Sequence, residues 1–276
     1  MSTWQAILLG AIQGLTEFVP VSSTAHLYLA QRALGLENSA ASLSFDIVLH
    51  LGTALALIAV YARDLAGMVA EAGRWIARRP ARRPEDRALI IPLVLGTIPG
   101  VLAGLFLLKR FEEHRSLSLI GFSMLTACGY FFVAETVGDR RAAKARERDR
   151  VTAGDSLWIG LAQAAAGMMA GFSRSGFTIA TGRLRGLTRE RAARFSFLLA
   201  LPIILGAGAK TLLDLRRHPE PALPAGLLAV GFVSSAIFGF FAVRFLLAYL
   251  RGHSLRPFAV YLGSLGAVLL IVSAAA

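Results

Sequence analysis

The chain has 276 residues, of which 55% are hydrophobic and 17% charged, and a formal net charge of +12. Its mean hydropathy is +0.61. A hydrocarbon core about 30 Å thick needs about 20 apolar residues per helix, and several windows of the chain reach that length. The composition therefore excludes an ordinary water-soluble domain and indicates an integral membrane protein.

Apolar segments follow one another along the chain, with Arg-rich or Pro- and Gly-bearing connections between most of them. They span about residues 2–15, 45–62, 89–108, 116–137, 156–170, 195–213, 223–250 and 255–275. The longest polar connections, Arg63 to Arg87 and Asp139 to Asp155, are too short to bury a core of their own. We expect one all-α polytopic membrane domain over residues 1–276.

The basic residues lie in these connections, where the positive-inside rule explains them more simply than nucleic-acid binding does. If the stretches 1–35 and 156–180 enter the membrane and return on the same side, 20 Arg and Lys residues share one face and about seven lie on the other. This asymmetry predicts six full transmembrane helices, two re-entrant helix pairs and both termini outside. No nucleic-acid partner is expected.

An internal repeat supports the re-entrant pairs. Shifting the chain by 150 residues aligns Gln13 with Gln163 and Ser23 with Ser173. Each copy contains an odd number of crossings, so the second copy is predicted to have inverted topology, with its broken helix meeting the first near the midplane. The predicted units are repeat 1 (about 1–137), a basic cytoplasmic linker (138–155) and repeat 2 (about 156–276).

The first polar turn is the segment EFVPVSSTAH, Glu17 to His26. Irregular backbone at membrane depth is stable only inside protein or beside a wet cavity, because lipid satisfies no N–H or C=O group. Pro20 interrupts the helix here. The carboxylate is suited to hold a divalent cation or act as a base, and the imidazole to act near neutral pH. The candidate nucleophiles or phosphate donors are Ser22, Ser23 and Thr24.

The second polar turn is GFSRSGFT, Gly171 to Thr178. Arg174 lies between two serines in a glycine-bounded turn, which brings a guanidinium, hydroxyls and backbone N–H groups to one point, as a phosphate requires. An ion pair between Arg174 and Glu17 is the structural alternative, compatible with phosphate binding. The two turns together predict phosphoryl chemistry on a membrane-soluble substrate.

Two further polar residues, Asp46 and His50, are four apart near the start of the next apolar helix and share one of its faces. They either orient groups in the pocket or act as a helix cap and a packing residue. The Arg-rich run from Arg183 to Arg194 is interpreted as a cytoplasmic face, and Cys128 as a packing residue.

The motifs Gln13-x-x-x-Glu17, PVSSTAH, AGFSRSGFT some 150 residues later, and ARFSFLLALP resemble the undecaprenyl-diphosphate phosphatase family, also called bacitracin resistance proteins. The resemblance extends over nearly the whole chain. Ala170 stands where the family usually has proline, which predicts a looser second turn with no reacting side chain lost.

The resemblance implies removal of the terminal phosphate of a C55 isoprenyl diphosphate at the outer face of the bacterial plasma (inner) membrane. This reaction regenerates the monophosphate carrier for peptidoglycan synthesis and confers bacitracin resistance. A divalent cation, Mg²⁺ or Ca²⁺, is expected as cofactor. The expected partners are the polyprenyl diphosphate and membrane lipid; the oligomeric state stays open, with a homodimer as one option.

Residue roles are assigned as hypotheses, from the chemistry of the two turns and from the family's pattern. The positions that match the pattern are Gln13, Glu17, Gly171, Ser173, Arg174, Ser175 and Thr178. The expected catalytic residues are Glu17, Ser23, His26 and Arg174. The expected phosphate-binding residues are Ser22, Thr24, Gly171, Ser173, Ser175 and Thr178. Glu17 and Gln13 are the expected metal ligands. The nucleophile is Ser23, His26, or a water activated by His26, and the sequence does not choose among them.

A transporter of the lipid monophosphate or of a small anion is the main alternative. Secondary transporters also combine inverted repeats with helices broken at the midplane. The Glu, His and Ser side chains favour an enzyme, since translocating a phosphate requires no nucleophile.

Overall fold

The computed structural model describes residues 1–36, 40–106, 116–217 and 223–275. Across these ranges the structure contains eleven helices, with an isolated bridge between Arg148 and Leu187. The helices are α1 (Thr3–Phe18), α2 (Ser23–Ala33), α3 (Ala40–Val60), α4 (Ala62–Ile76), α5 (Pro84–Phe106), α6 (Leu117–Ala142), α7 (Ala153–Met168), α8 (Arg174–Leu184), α9 (Arg189–Arg217), α10 (Ala225–Leu250) and α11 (Arg256–Ala275). The predicted all-α class is confirmed.

Five of the described helices are long and apolar enough to cross a bilayer: α5, α6, α9, α10 and α11. A sixth span results if Ser44–Val60 and Ala62–Ile76, which meet at a bend of 78°, count as one. The chain is thus a multi-pass membrane protein with five or six candidate spans in its described part, against six predicted.

Helix α4 lies in a stretch predicted to be a polar connection, residues 63–87, and that prediction was wrong. One face of α4 is buried, including Gly67 and Glu71. The Glu71 carboxylate accepts the backbone N–H groups of Arg82 and Arg83 at 3.0 Å, which fastens the turn after the helix. The stretch was predicted to be a polar connection because it contains many arginines, and its amphipathic helix was missed. Helix α6 likewise continues to Ala142, into the predicted linker.

Two helix breaks carry the polar turns. Helix α1 ends and α2 begins across residues 19–22, and α7 and α8 are separated by residues 169–173. The paired helices match in length, with 16 residues in α1 and α7 and 11 in α2 and α8. The breaks lie against each other, because Ser175 Oγ is 3.5 Å from the carbonyl oxygen of Val19.

Glycines allow close packing of the broken helices against apolar spans. Helix α1 crosses α10 where a Cβ on Gly10 would lie 2.7 Å from the carbonyl oxygen of Gly231. Helix α7 crosses α5 where a Cβ on Gly160 would overlap the carbonyl oxygen of Gly96. Small residues at such crossings let two backbones approach, which is how helices associate in a membrane. These crossings fix the positions of both breaks.

A buried ion cluster joins α6, α8, α9 and α11. The side chain of Arg183 is fully buried and forms an ion pair with Glu147. Arg189 Nη2 lies 2.6 Å from Glu135 Oε2 and 2.5 Å from Asp139 Oδ1. Glu135 also accepts the backbone N–H of Leu255, the residue before α11, at 2.8 Å. The cluster joins the ends of these four helices and the 143–152 connection.

The Gly160 crossing yields a first prediction. Replacing Gly160 with Ala forces α7 and α5 apart and lowers the free energy of unfolding by about 1–3 kcal/mol, since the neighbour is backbone and has no rotamer to change. Thermal unfolding in detergent measures the effect. Gly226→Ala is the control, because a Cβ there meets nothing within 4 Å. Equal midpoints for the two variants would contradict the close crossing.

The ion cluster yields a second prediction. Glu135→Gln leaves two arginine side chains of the cluster short of charge compensation, and we expect it to lower the free energy of unfolding by about 3–5 kcal/mol. Glu190→Gln is the matched control, because the Glu190 side chain is 57% exposed and its pair with Arg251 is on the surface; a loss below about 1 kcal/mol is expected there. If both variants unfold at the same temperature, the cluster has no such role.

Candidate active site

A cavity of about 320 Å³ lies at the two breaks. Its polar wall includes Glu17, Ser23, Asp46, His50 and Arg174, and much of the remaining wall is apolar. Ligand cavities of proteins measure about 300–1,000 Å³ and combine an apolar lining with a few convergent polar groups. The cavity therefore has the size and lining of a ligand site.

Glu17 is the centre of the polar contacts. It is 5% exposed and lies in the last turn of α1. Its Oε2 accepts hydrogen bonds from Gln13 Nε2 at 2.8 Å and from Ser23 Oγ at 2.7 Å. Its Oε1 accepts a hydrogen bond from Arg174 in a direct ion pair. The structure brings together four of the predicted residues, and the ion pair weighed as the structural alternative is present.

Two helix N-termini begin at the cavity. Helix α2 starts at Ser23 and α8 at Arg174, and both residues line the cavity. The first N–H groups of a helix have no partner within it and carry its partial positive charge, so they favour an anion. Helices α2 and α8 therefore both begin at the cavity that Arg174 also lines.

The two helix starts differ in their caps. Ser173 Oγ accepts the backbone N–H of Gly176 at 3.2 Å, the usual N-cap contact. Ser22 makes no such contact, and its hydroxyl is buried without a hydrogen-bond partner. Its φ of +71° is left-handed, which costs a non-glycine residue about 1–2 kcal/mol. Ser22 is buried and is not among the residues that line the cavity.

The remaining predicted phosphate-binding residues divide into two groups. Thr24 and Ser173 line the cavity. Ser175 and Thr178 are buried behind it; Thr178 Oγ1 lies 2.5 Å from Ser196 Oγ on α9 and donates to the carbonyl oxygen of Arg174 at 2.9 Å. Thr178 therefore connects α8 to α9 and to the backbone of the arginine.

Gly171 has a backbone role in the second break. Its φ is +100°, and a Cβ would lie 2.6 Å from the carbonyl oxygen of Ile120 on α6. Only glycine combines this conformation with this approach at low cost. Ala170, which replaces the expected proline, lines the cavity.

His26 points away from the other predicted residues. Its Nδ1 lies 2.8 Å from the carbonyl oxygen of Ser22, and its Nε2 lies 2.6 Å from the hydroxyl of Tyr261, against whose ring it stacks. It is not among the residues that line the cavity. The imidazole of His50 does lie beside Glu17, with its Nε2 3.6 Å from Glu17 Oε2.

His50 is held by its own helix. Its Nδ1 lies 2.7 Å from the carbonyl oxygen of Asp46, so this nitrogen carries the proton and Nε2 faces the cavity. Gln31 Nε2 in turn donates to Asp46 Oδ1 at 2.6 Å. Spacing had identified Asp46 and His50 as possible orienters, but only tertiary packing shows that His50 replaces His26 beside Glu17. Gln31 had no sequence signal.

The donor set suits one kind of metal site. Within the described ranges, no group of three or more His, Cys, Asp or Glu residues is placed to hold a metal. Glu17 and the buried Oε1 of Gln13, which has no hydrogen-bond partner, are the oxygen atoms that would hold such a cation. Mg²⁺ is commonly bound by one or two carboxylates together with waters and substrate phosphates. The residues present fit a cation shared with a phosphate ligand.

Residues 6–268 match the family described as bacitracin resistance protein BacA. The chain belongs to this family. Both breaks and every residue that lines the cavity fall within the matched range.

Relatives in this BacA family match over nearly the full length. The chain is 43% identical over 265 residues to a protein named undecaprenyl-diphosphatase from Rubrobacter xylanophilus, covering 96% of each. It is 38% identical over 274 residues to an undecaprenyl-diphosphatase of Desulforudis audaxviator, covering 99% of this chain and 98% of the relative. Undecaprenyl-diphosphatase 3 of Bacillus cereus is 36% identical over 273 residues, with the same coverage.

Proposed function

We propose that this protein is an undecaprenyl-diphosphatase, which hydrolyses the terminal phosphate of a C55 isoprenyl diphosphate and returns the lipid monophosphate. The observation that carries the proposal is the convergence of Arg174, two helix N-termini and the hydrogen-bonded Glu17 and Ser23 on one membrane-embedded cavity. The names of the relatives agree with it. By regenerating the lipid carrier, the reaction serves peptidoglycan synthesis and confers bacitracin resistance.

Arg174 is the phosphate clamp. Its guanidinium is paired with Glu17, and its own helix begins at the same cavity. Charge that develops on a transferring phosphoryl group is stabilised best by donors already in position. When the diphosphate enters, its oxygens replace the carboxylate as partners of the guanidinium, and Glu17 is released for proton transfer.

Ser23 is the nucleophile. Its hydroxyl donates to Glu17 Oε2 at 2.7 Å, the contact expected between a nucleophile and its general base. Ser23 Oγ bonds to the terminal phosphorus while Glu17 accepts its proton, and the bridging P–O bond breaks to release the lipid monophosphate. Water then attacks the phosphorus of the phosphoserine and the Ser23 Oγ–P bond breaks. Ser23 recovers its proton from Glu17, and both protons of the water leave on the inorganic phosphate, as H2PO4−.

The two histidines have different roles. His50 lines the cavity, with its Nε2 3.6 Å from Glu17 Oε2. His26, in contact with Tyr261, fastens α2 to α11 and so positions Ser23 three residues before it. A divalent cation, Mg²⁺ or Ca²⁺, would be held by Glu17 and Gln13 and would neutralise charge on the diphosphate.

Inverted topology of the two halves is part of the proposal. The equal lengths of α1 and α7 and of α2 and α8 support it, and so do the equivalent Gly10 and Gly160 crossings. In this arrangement the two broken helix pairs are re-entrant. The basic connections lie in the cytoplasm of a bacterial cell, and the cavity opens to the outer face of the plasma membrane.

Phosphate release tests the function directly. Purified protein in detergent is expected to release inorganic phosphate from C55 isoprenyl diphosphate, and a chelator of divalent cations to suppress the release. Arg174→Ala and Glu17→Gln should each lower kcat/KM by about 10²–10³ or more, since each removes a group that acts on the reacting phosphate. Arg32→Ala, an exposed arginine of α2, should retain wild-type turnover.

This assay also separates enzyme from transporter, because hydrolysis in detergent needs no second compartment. A wild-type protein that releases no phosphate but moves the lipid between leaflets would overturn the proposal. If Arg174→Ala keeps turnover within about threefold of wild type, the phosphate-clamp role of Arg174 is wrong, but the proposed activity is not contradicted.

A trapped phosphoenzyme tests the nucleophile. Rapid quenching of wild type with the ³²P-labelled diphosphate should yield an acid-stable phosphoserine that is absent from Ser23→Ala. An acid-labile adduct would assign the attack to a histidine. Labelling of Ser23→Ala at the wild-type level would exclude Ser23.

A further inference from the structure

A second cavity, of about 460 Å³, has a strongly basic lining. It lies where α6 ends and is lined by Val137, Arg140, Arg141, Lys144 and Arg146. This basic cavity is separate from the active-site cavity, with which it shares no lining residue. The four basic side chains that line it have no role in the proposed hydrolysis.

The two carboxylates adjacent in sequence to the lining residues are already paired with other arginines. Asp139 contacts Arg183, Arg189 and Arg256, and Glu147 contacts Arg183. For Arg140, Arg141, Lys144 and Arg146, by contrast, the described part of the chain offers no carboxylate within 4.0 Å. The fold thus neutralises one set of arginines internally and leaves the adjacent set to face open space.

Such a group of like charges favours an anion. The carbonyl end of α6 carries a partial negative charge of about half an elementary charge, which offsets only a small part of four cations. The planar guanidinium of arginine can pair with phosphate oxygens through two parallel hydrogen bonds. The ligand chemistry is therefore that of a phosphate group.

The position of the cavity favours a phosphate attached to a lipid. Helix α6 has 26 residues, or about 39 Å, whereas the hydrocarbon core is about 30 Å thick, so its last turns extend into the headgroup layer. Val137 forms an apolar wall, and Val133, one turn deeper, is 57% exposed. An acyl chain along these two valines would place its headgroup at the cations.

We propose that the basic cavity binds the headgroup of an anionic phospholipid, with an acyl chain along Val133 and Val137. Basic pockets at the cytoplasmic ends of membrane helices take such headgroups, each basic residue contributing to the affinity. The lipid would anchor the 143–152 connection, which leads directly into α7 and hence to the second break. The site is independent of the reaction at Glu17.

The test is native mass spectrometry of the full-length protein with phosphatidylglycerol and phosphatidylcholine. Wild type should retain phosphatidylglycerol in preference, and R140Q/K144Q/R146Q should lower that retention at least about tenfold. The matched control R78Q/R79Q/R82Q removes three exposed charges of another basic connection and should keep the wild-type preference. Thermal unfolding checks that each variant is folded.

Equal losses in the two triple variants would overturn the site, because the preference would then reflect overall charge. Displacement of the lipid by inorganic phosphate would also overturn it, since the cavity would bind a free anion. If the triple variant does not fold, the single variants Lys144→Gln and Arg146→Gln replace it, and each should weaken retention by about threefold. Wild-type retention in both would contradict the proposal.

Discussion

The ion pair between Arg174 and Glu17 is the contact on which the arrangement of the site depends. It joins residues 157 positions apart, each beside a helix break within the membrane domain. Either charge alone in such a place would be expensive, whereas the pair with its additional hydrogen bonds is tolerated. Because both charges need each other, both breaks must face the same space, and the starts of α2 and α8 are brought there with them.

In the proposed mechanism, the same pair stabilises the empty cavity and prepares it for the reaction. Without substrate, the carboxylate compensates the guanidinium. In the proposed mechanism, a phosphate replaces the carboxylate as the partner of the guanidinium, and Glu17 then acts as base toward Ser23, whose hydroxyl already donates a hydrogen bond to it. The hydrogen bond between Ser23 and Glu17 in the empty cavity would thus need little rearrangement to become the reactive contact. This is the condition for electrostatic preorganisation.

The sequence predicted the parts of the site whose chemistry is local. Charged groups are unusual in apolar surroundings, so residue type alone made Glu17 and Arg174 candidates, whereas Ser23 was one of several candidate nucleophiles. The sequence did not predict which histidine lies beside Glu17, because the direction of His26 is set by Tyr261 some 235 residues away. Helix α4 was missed because its arginines resemble a polar connection, and no local pattern indicates that Gly96 meets Gly160 or that Thr178 meets Ser196.

The helix crossings at Gly10 and Gly160 affect the order in which the two sides of the cavity can assemble during synthesis. Helix α1 packs against α10, which is synthesised more than two hundred residues later. The first break therefore lacks its supporting helix until nearly the whole chain has left the ribosome, whereas α7 finds α5 already inserted. During biogenesis the Arg174 side of the cavity gains its scaffold first, and the Glu17 side is completed only as synthesis ends.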